Sequence, residues 1–237
     1  LTAAATVTKG IQVIATRPLS KGDLLMECRA IRIALDPCRW TTNCGFCAAT
    51  NVTAHCSSCQ VVGFCEECWP LEKTSHDQEC HALRCFVELL QNPPSDGSLL
   101  PLDVTSHLLT IRLLACIPAD TKTLSSSNPD TNTTTNWWTL LPYLYASTIP
   151  PEELEKSKII VAACQKTFTA LMASDTTNND QDVATYTTTF LQTQYETLLS
   201  RILGCSHAIT DLSLPLGTQT LGRALFWHHS FYNHACS

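Results

Sequence analysis

The sequence predicts an α+β fold. Three observations carry the prediction: a β-branched opening segment, a dense run of paired cysteines after it, and a series of helical apolar stripes from there on. Strands gathered in one part of a chain and helices in the next mark this class, in contrast to the strict alternation of a parallel α/β sheet. At 237 residues and 44% hydrophobic, the chain can bury a real core as one large domain or two.

Residues 11–35, IQVIATRPLSKGDLLMECRAIRIAL, read as two or three strands, interrupted at Pro18 and turning at Lys21-Gly22. The cysteine run follows, from Cys44 to Cys80, and its segment Glu66 to Glu79 should carry a short helix. From His81 an apolar stripe of Leu83, Phe86, Val87, Leu89 and Leu90 predicts a further helix that Asn92-Pro93-Pro94 ends. Another helix is expected from about Val104 to Cys116, stopped by Pro118, and the polar residues 119–136 read as a loop or disordered insertion. Pro150-Pro151-Glu152-Glu153 opens the next helix, with proline and acids where unpaired amides favour them, and it should reach about Met172. After the polar stretch SDTTNNDQD comes a helix from about Val183 to Leu203, and residues 204–237 read as mixed and loop-like.

The cysteine run holds Cys44-x2-Cys47, Cys56-x2-Cys59, Cys65-x2-Cys68 and His76-x3-Cys80. A tight turn brings both sulfurs of a Cys-x2-Cys pair to one metal, and His-x3-Cys puts two ligands on one helix face. Eight thiolate and imidazole ligands make two tetrahedral zinc sites with no open position, so the metals are structural. His81-x3-Cys85 repeats the last spacing and offers a rival pair. Disulfides are the competing use of so many cysteines, but the first residues, LTAAATVTKG, lack a signal peptide's basic start and apolar centre. A reducing compartment, nuclear and/or cytoplasmic, is therefore expected, with Cys28, Cys85, Cys116 and Cys164 as free buried thiols.

A net charge of −6 argues against a nucleic-acid partner, and between Cys44 and Cys80 only Lys73 stands against Glu66, Glu67, Glu72, Asp77 and Glu79. No membrane span is expected, since the longest apolar run, Leu108 to Ala119, is interrupted by Thr110, Arg112 and Cys116.

Three separated stretches together resemble the SET and MYND domain family of protein-lysine methyltransferases. The cysteine run is similar to a MYND zinc finger, with Cys65-x2-Cys68 one residue shorter than usual. The stretch Lys9-Gly10-Ile11-Gln12, continuing through Leu19-Ser20-Lys21-Gly22-Asp23, resembles the opening of a SET domain, although Gln12 stands where a second glycine is usual. Ser230-Phe231-Tyr232-Asn233-His234-Ala235-Cys236 is similar to the family's Asn-His-Ser-Cys motif. The resemblance implies a SET-type β-rich fold split by two insertions. Residues 1–37 would open the SET domain, 38–85 would form the MYND finger, 86–203 a helical insertion with polar loops, and 204–237 the start of the second SET part.

It further implies interleaved zincs, the first held by Cys44, Cys47, Cys65 and Cys68 and the second by Cys56, Cys59, His76 and Cys80. Cys236 would be a ligand of a possible third zinc. S-adenosylmethionine would contact Lys9, Gly10, Ser230, Asn233 and His234; Ser206 and Tyr143 either join it or serve core packing. The activity implied is methyl transfer from S-adenosylmethionine to a lysine of a protein substrate, with the catalytic tyrosine expected beyond Ser237. The alternative is a non-catalytic scaffold whose finger binds a partner peptide, with Trp69 and Phe64 either as apolar contacts or as packing around the zincs.

Overall fold

In the computed structural model, residues 2–6, 10–14, 17–24, 30–95, 97, 102–123, 144–173 and 183–226 are described. Strands β1 (Thr2–Thr6) and β2 (Gly10–Ile14) pair antiparallel, Thr6 opposite Gly10 and Thr2 opposite Ile14. The Lys21-Gly22 turn is present, closed by the Asp23 amide on the Ser20 carbonyl, with Gly22 at a φ of 97°. Strand β3 (Arg32–Leu35) then leads through a 3-10 turn, Pro37–Arg39, into the cysteine run. That run contains the short antiparallel pair β4 (Val52–His55) and β5 (Gly63–Cys65) and runs directly into helix α1 (Cys68–Gln91). Helices α2 (Val104–Thr123), α3 (Pro151–Ala173) and α4 (Val183–Cys205) follow, and the hairpin β6 (His207–Thr210) and β7 (Thr220–Leu225) comes last.

The fold is mixed α/β with small antiparallel sheets. Strand β7 is the middle of a three-stranded sheet, with β3 on one side and β6 on the other. Arg32 faces Leu225 and Leu35 faces Gly222, so the strand before the cysteine run is paired to one almost two hundred residues later. Ile33, Leu35, Leu221 and Ala224 form this sheet's own small core. The Trp40 indole donates to the Leu35 carbonyl (2.9 Å) and the Arg39 guanidinium to the Thr218 carbonyl (2.9 Å), tying the exit of β3 to the hairpin loop.

Helix α2 is the centre of the larger core. Residues 105–116 are all buried, polar ones included, and the helix packs against α1, α3, α4, β3 and β7. A helix buried on every face must satisfy its polar groups internally. Asp103 caps its start, accepting from the Ser106 amide (3.1 Å) and hydroxyl (2.7 Å). Thr110 donates back to the Ser106 carbonyl. His107 sits between α3 and α4: its Nε2–H donates to Glu153 (2.8 Å) and its Nδ1 accepts from the Tyr195 hydroxyl (2.8 Å), while Lys156 donates to the same Glu153.

Several elements differ from the sequence reading. The helices expected before and after His81 are one, because His76, Glu79, Leu83, Phe86 and Val87 share a buried face and nothing between them breaks it. Helix α2 continues through Pro118 to Thr123, so residues 119–123 end a helix rather than begin a loop. An interior proline costs about 3 kcal/mol, and here it follows three turns of buried side chains. Residues 207–225 form a hairpin where loop was expected, and β1 was not anticipated. The starts of α3 and α4 fall where Pro151-Glu152-Glu153 and Val183 suggest. Among the described residues no helix is long and apolar enough to cross a membrane.

Candidate metal centre

Two knuckles of similar build open the site. In the first, Cys44 ends a loop, Cys47 follows after one turn, and Ala48 takes a left-handed φ of 63°. The Ala48 amide bonds back to the Cys44 carbonyl (2.8 Å). In the second, Cys56 leaves β4, Cys59 follows, and Gln60 takes a φ of 59°, its amide on the Cys56 carbonyl (3.1 Å). Each reversal brings its two sulfurs to the same group. The remaining ligands come from β5 and α1: Cys65 at the end of the strand, Cys68 at the first helical residue, His76 and Cys80 on successive turns.

The chain brings these residues together as two groups of four, Cys44, Cys47, Cys65 and Cys68, and Cys56, Cys59, His76 and Cys80. Within each group the ligand atoms all lie within 4.8 Å of one another. Nearest pairs are Cys47 and Cys65 sulfurs at 3.6 Å, Cys56 and Cys80 sulfurs at 3.5 Å, and Cys59 sulfur to His76 Nε2 at 3.6 Å. A tetrahedral zinc with arms of about 2.3 Å has ligand–ligand edges of about 3.8 Å. The donor sets fit such an ion, so both groups can hold a metal such as zinc. All described cysteines are free thiols rather than disulfides.

Electrostatics point the same way, because three or four thiols so close cannot all ionise unaided. Burial works against ionising Cys56, yet amide hydrogen bonds from Cys59 and Ser58 and the His76 contact outweigh it and bring the thiol down to about 6. Burial and then the neighbouring Cys56 and Cys80 push Cys59 up to about 12. In the first group burial and the Cys44 neighbour raise Cys47 to about 11, whereas amide and thiol contacts from Cys68 overcome burial and lower Cys65. A divalent cation held there would supply the charge that lets the remaining thiols deprotonate.

Phe64, fully buried in β5, packs between the two groups. It stacks on Phe46 (5.4 Å between centroids) and meets Trp69 and His76 edge-on (5.0 and 5.4 Å). Of the two aromatics considered as peptide contacts, Phe64 is therefore packing, and Trp69, 40% exposed, is the one at the surface. Trp69, His55, Lys73 and Arg84 border a cleft of about 440 Å³ beside the second group.

Two functional side chains escaped the sequence reading. Glu79 is fully buried one turn after His76 and accepts from its Nδ1 (3.2 Å). Arg112, 2% exposed in α2, donates to both Glu79 oxygens (3.0 and 2.8 Å), to the Gly45 carbonyl (2.6 Å) and to the Ile33 carbonyl, and its guanidinium lies 4.6 Å from the Phe46 ring centre. Burial alone would raise the Glu79 carboxyl; the Arg112 charge and the His76 bond outweigh it and hold it below the ordinary carboxylate range. The available signal was the His76–Glu79 spacing, a carboxylate placed to orient a metal-binding imidazole.

The rival pair stands apart from both groups. His81 Nδ1 lies 2.7 Å from the Thr167 hydroxyl and 3.4 Å from the Cys85 sulfur, on the side of α1 that meets α3. Cys116 and Cys164 are buried and Cys85 half-buried, as free thiols, while Cys28 lies outside the described residues. Ser206, between α4 and β6, accepts from the Arg223 guanidinium (3.2 Å). Gly10 begins β2 opposite Thr6. Lys9, Tyr143, Ser230, Asn233, His234 and Cys236 lie outside the described residues. No family model matches the chain, and no curated protein matches it.

Proposed function

We propose that the chain belongs to a SET- and MYND-type protein-lysine methyltransferase, in which the two metal groups are structural and methyl transfer takes place beside the β3–β7–β6 sheet. The observation that supports this reading is topological. The two interleaved ligand groups occupy one excursion of the chain that leaves β3 at Leu35, and the helices that follow lead back to β7, which pairs with β3. A finger and a helical segment inserted into a single antiparallel sheet is the arrangement that the resemblance implies.

Zinc held by Cys44, Cys47, Cys65 and Cys68, and by Cys56, Cys59, His76 and Cys80, would cross-link the knuckles to β5 and α1. With four protein ligands each, neither ion has a position for substrate, so their contribution is to the fold. S-adenosylmethionine, when bound, supplies the methyl group, and the protein's part is to align the donor with a neutral lysine amine.

A scaffold without methyl transfer is the second reading, and Ser206 favours it. Its hydroxyl, a proposed cofactor contact, already accepts from Arg223. Calorimetric titration of S-adenosylmethionine into the full-length protein separates the two. Saturable binding with one equivalent per chain, followed by label transfer from methyl-tritiated cofactor to a lysine-containing protein, is the expected result. Absence of heat at millimolar cofactor would leave the scaffold.

A further inference from the structure

We propose that Glu79 and Arg112 are positioning residues that make metal loading of the second group and docking of the finger on α2 one coupled event. The inference rests on reading Cys56, Cys59, His76 and Cys80 as a metal site. It concerns the side chains behind the ligands, none of which touches the cation.

His76 is the only imidazole among the eight ligands, and an imidazole has two ways to be wrong: the tautomer and the ring orientation. Its Nε2 faces the Cys59 sulfur and its Nδ1 faces the Glu79 carboxylate. A carboxylate at Nδ1 keeps the proton there and leaves the Nε2 lone pair turned toward Cys56, Cys59 and Cys80. Glu79 cannot do this alone, because a fully buried carboxylate without a counter-charge takes up a proton or drags the helix toward water. Its counter-charge comes from another element, through two bonds from Arg112 of α2.

The same guanidinium spends its remaining donor on two backbone carbonyls. One is Gly45, between the first group's Cys44 and Cys47, and the other is Ile33 of β3. Thus one side chain of the helical body holds the imidazole's orienting group, the first knuckle, and the strand that leads into the finger. Its planar fork matches this set of acceptors, whereas a lysine ammonium could reach only part of it. Coupling of this kind is reciprocal: a metal that fixes His76 fixes Glu79 and, through it, the α1–α2 contact, and loosening Arg112 loosens the metal.

The test is a mutant cycle on the full chain, loaded with zinc and read by the rate at which each metal passes to a chromogenic chelator. Glu79→Gln should speed release of one of the two metals by about ten- to a hundredfold, the range for lost outer-shell partners. In a His76→Cys background the second site has four thiolates and no imidazole to orient. There the same substitution still strands Arg112 but orients no imidazole, so it should speed release by clearly less than in the wild-type background. Equal acceleration in both backgrounds would mean general destabilisation and overturns the coupling while leaving the metal reading intact. Wild-type protein that retains no zinc overturns both.

If His76→Cys does not fold, Glu79→Asp serves instead, since it keeps a negative charge opposite Arg112 while drawing the carboxylate back by one methylene from His76. Faster release of one metal, with an altered visible spectrum of the cobalt-substituted second site, supports the proposal, and unchanged release and spectrum overturn it. Arg112→Lys should speed release of both metals, because Gly45 also loses its donor; unaltered rates would sink the link to the first knuckle.

Discussion

Replacing Arg112 by methionine is the perturbation whose size the structure sets most clearly. Methionine keeps the stem and removes the guanidinium. Glu79 is then left buried without its ion-pair partner, and the Gly45 and Ile33 carbonyls lose their donor. Removing one member of a buried pair costs about 3–5 kcal/mol, and each abandoned carbonyl about 1 kcal/mol more. Protonation of Glu79 relieves part of this, so a net loss on the order of 5 kcal/mol is expected. In a chain of this length 1 kcal/mol moves the melting point by roughly 2–4 °C, which puts the Arg112→Met midpoint on the order of 10–20 °C below wild type. The assay is thermal unfolding by circular dichroism with zinc held in excess. Adding Glu79→Gln removes the stranded charge, so the double variant should melt above Arg112→Met alone. A single variant that melts with wild type, or a double variant that melts lower still, would refute the idea that the buried pair locks the finger to the body.

Other expectations concern the bundle, the sheet and the metals. Burial, outweighing the Glu153 carboxylate, lowers the His107 pKa from its ordinary value. Its contribution to stability is therefore full above about 6.5 and is lost as pH falls below that, with a slope of up to about 1.4 kcal/mol per pH unit. His107 faces Tyr195, Glu153, Lys156 and Asp103, and a His107→Gln variant should show a flatter denaturant midpoint as pH falls below about 6.5. At Gly222 an added Cβ would lie 2.1 Å from the Ala34 carbonyl oxygen and 2.7 Å from the Leu35 Cα, both backbone. Gly222→Ala should part β7 from β3 and cost at least about 3 kcal/mol, measured as a loss of folded yield or of the urea midpoint. Chelation of the metals should expose residues 44–80 to limited proteolysis, with protection restored when zinc is added back; equal cleavage with and without chelator would argue that the groups hold no metal.

What could be read in advance depended on how local each cause was. The starts of α3 and α4 are written in short stretches, with Pro151-Glu152-Glu153 opening the first, and the Lys21-Gly22 turn in the glycine that takes its positive φ. The Cys-x2-Cys pairs identify themselves too, but spacing alone does not say which pairs share a metal, and the interleaved sets came from family resemblance. The β6–β7 hairpin is hard to read in the sequence because its strands are short and its loop carries exposed Leu212 and Leu216, which obscure the alternation. The unity of α1 is hidden in the sequence because its buried face changes from metal-ligating and charged residues, His76 and Glu79, to apolar ones, Leu83, Phe86 and Val87. Glu79 and Arg112 were illegible for a different reason. A charged side chain is buried only where a partner from elsewhere in the fold meets it, and here the partners are 33 residues apart. Arg112 interrupts the apolar run in the sequence, yet residues 105–116 of its helix are all buried.

The most direct test of the interleaved centre is proton–cadmium correlation spectroscopy on the chain reconstituted with cadmium-113. The interleaved arrangement predicts two cadmium signals, one coupled to the β protons of Cys44, Cys47, Cys65 and Cys68, the other to those of Cys56, Cys59 and Cys80 and to the His76 ring. Correlations that join Cys44 and Cys47 to Cys56 and Cys59 on one metal, or a connection from either metal to His81 or Cys85, would contradict it.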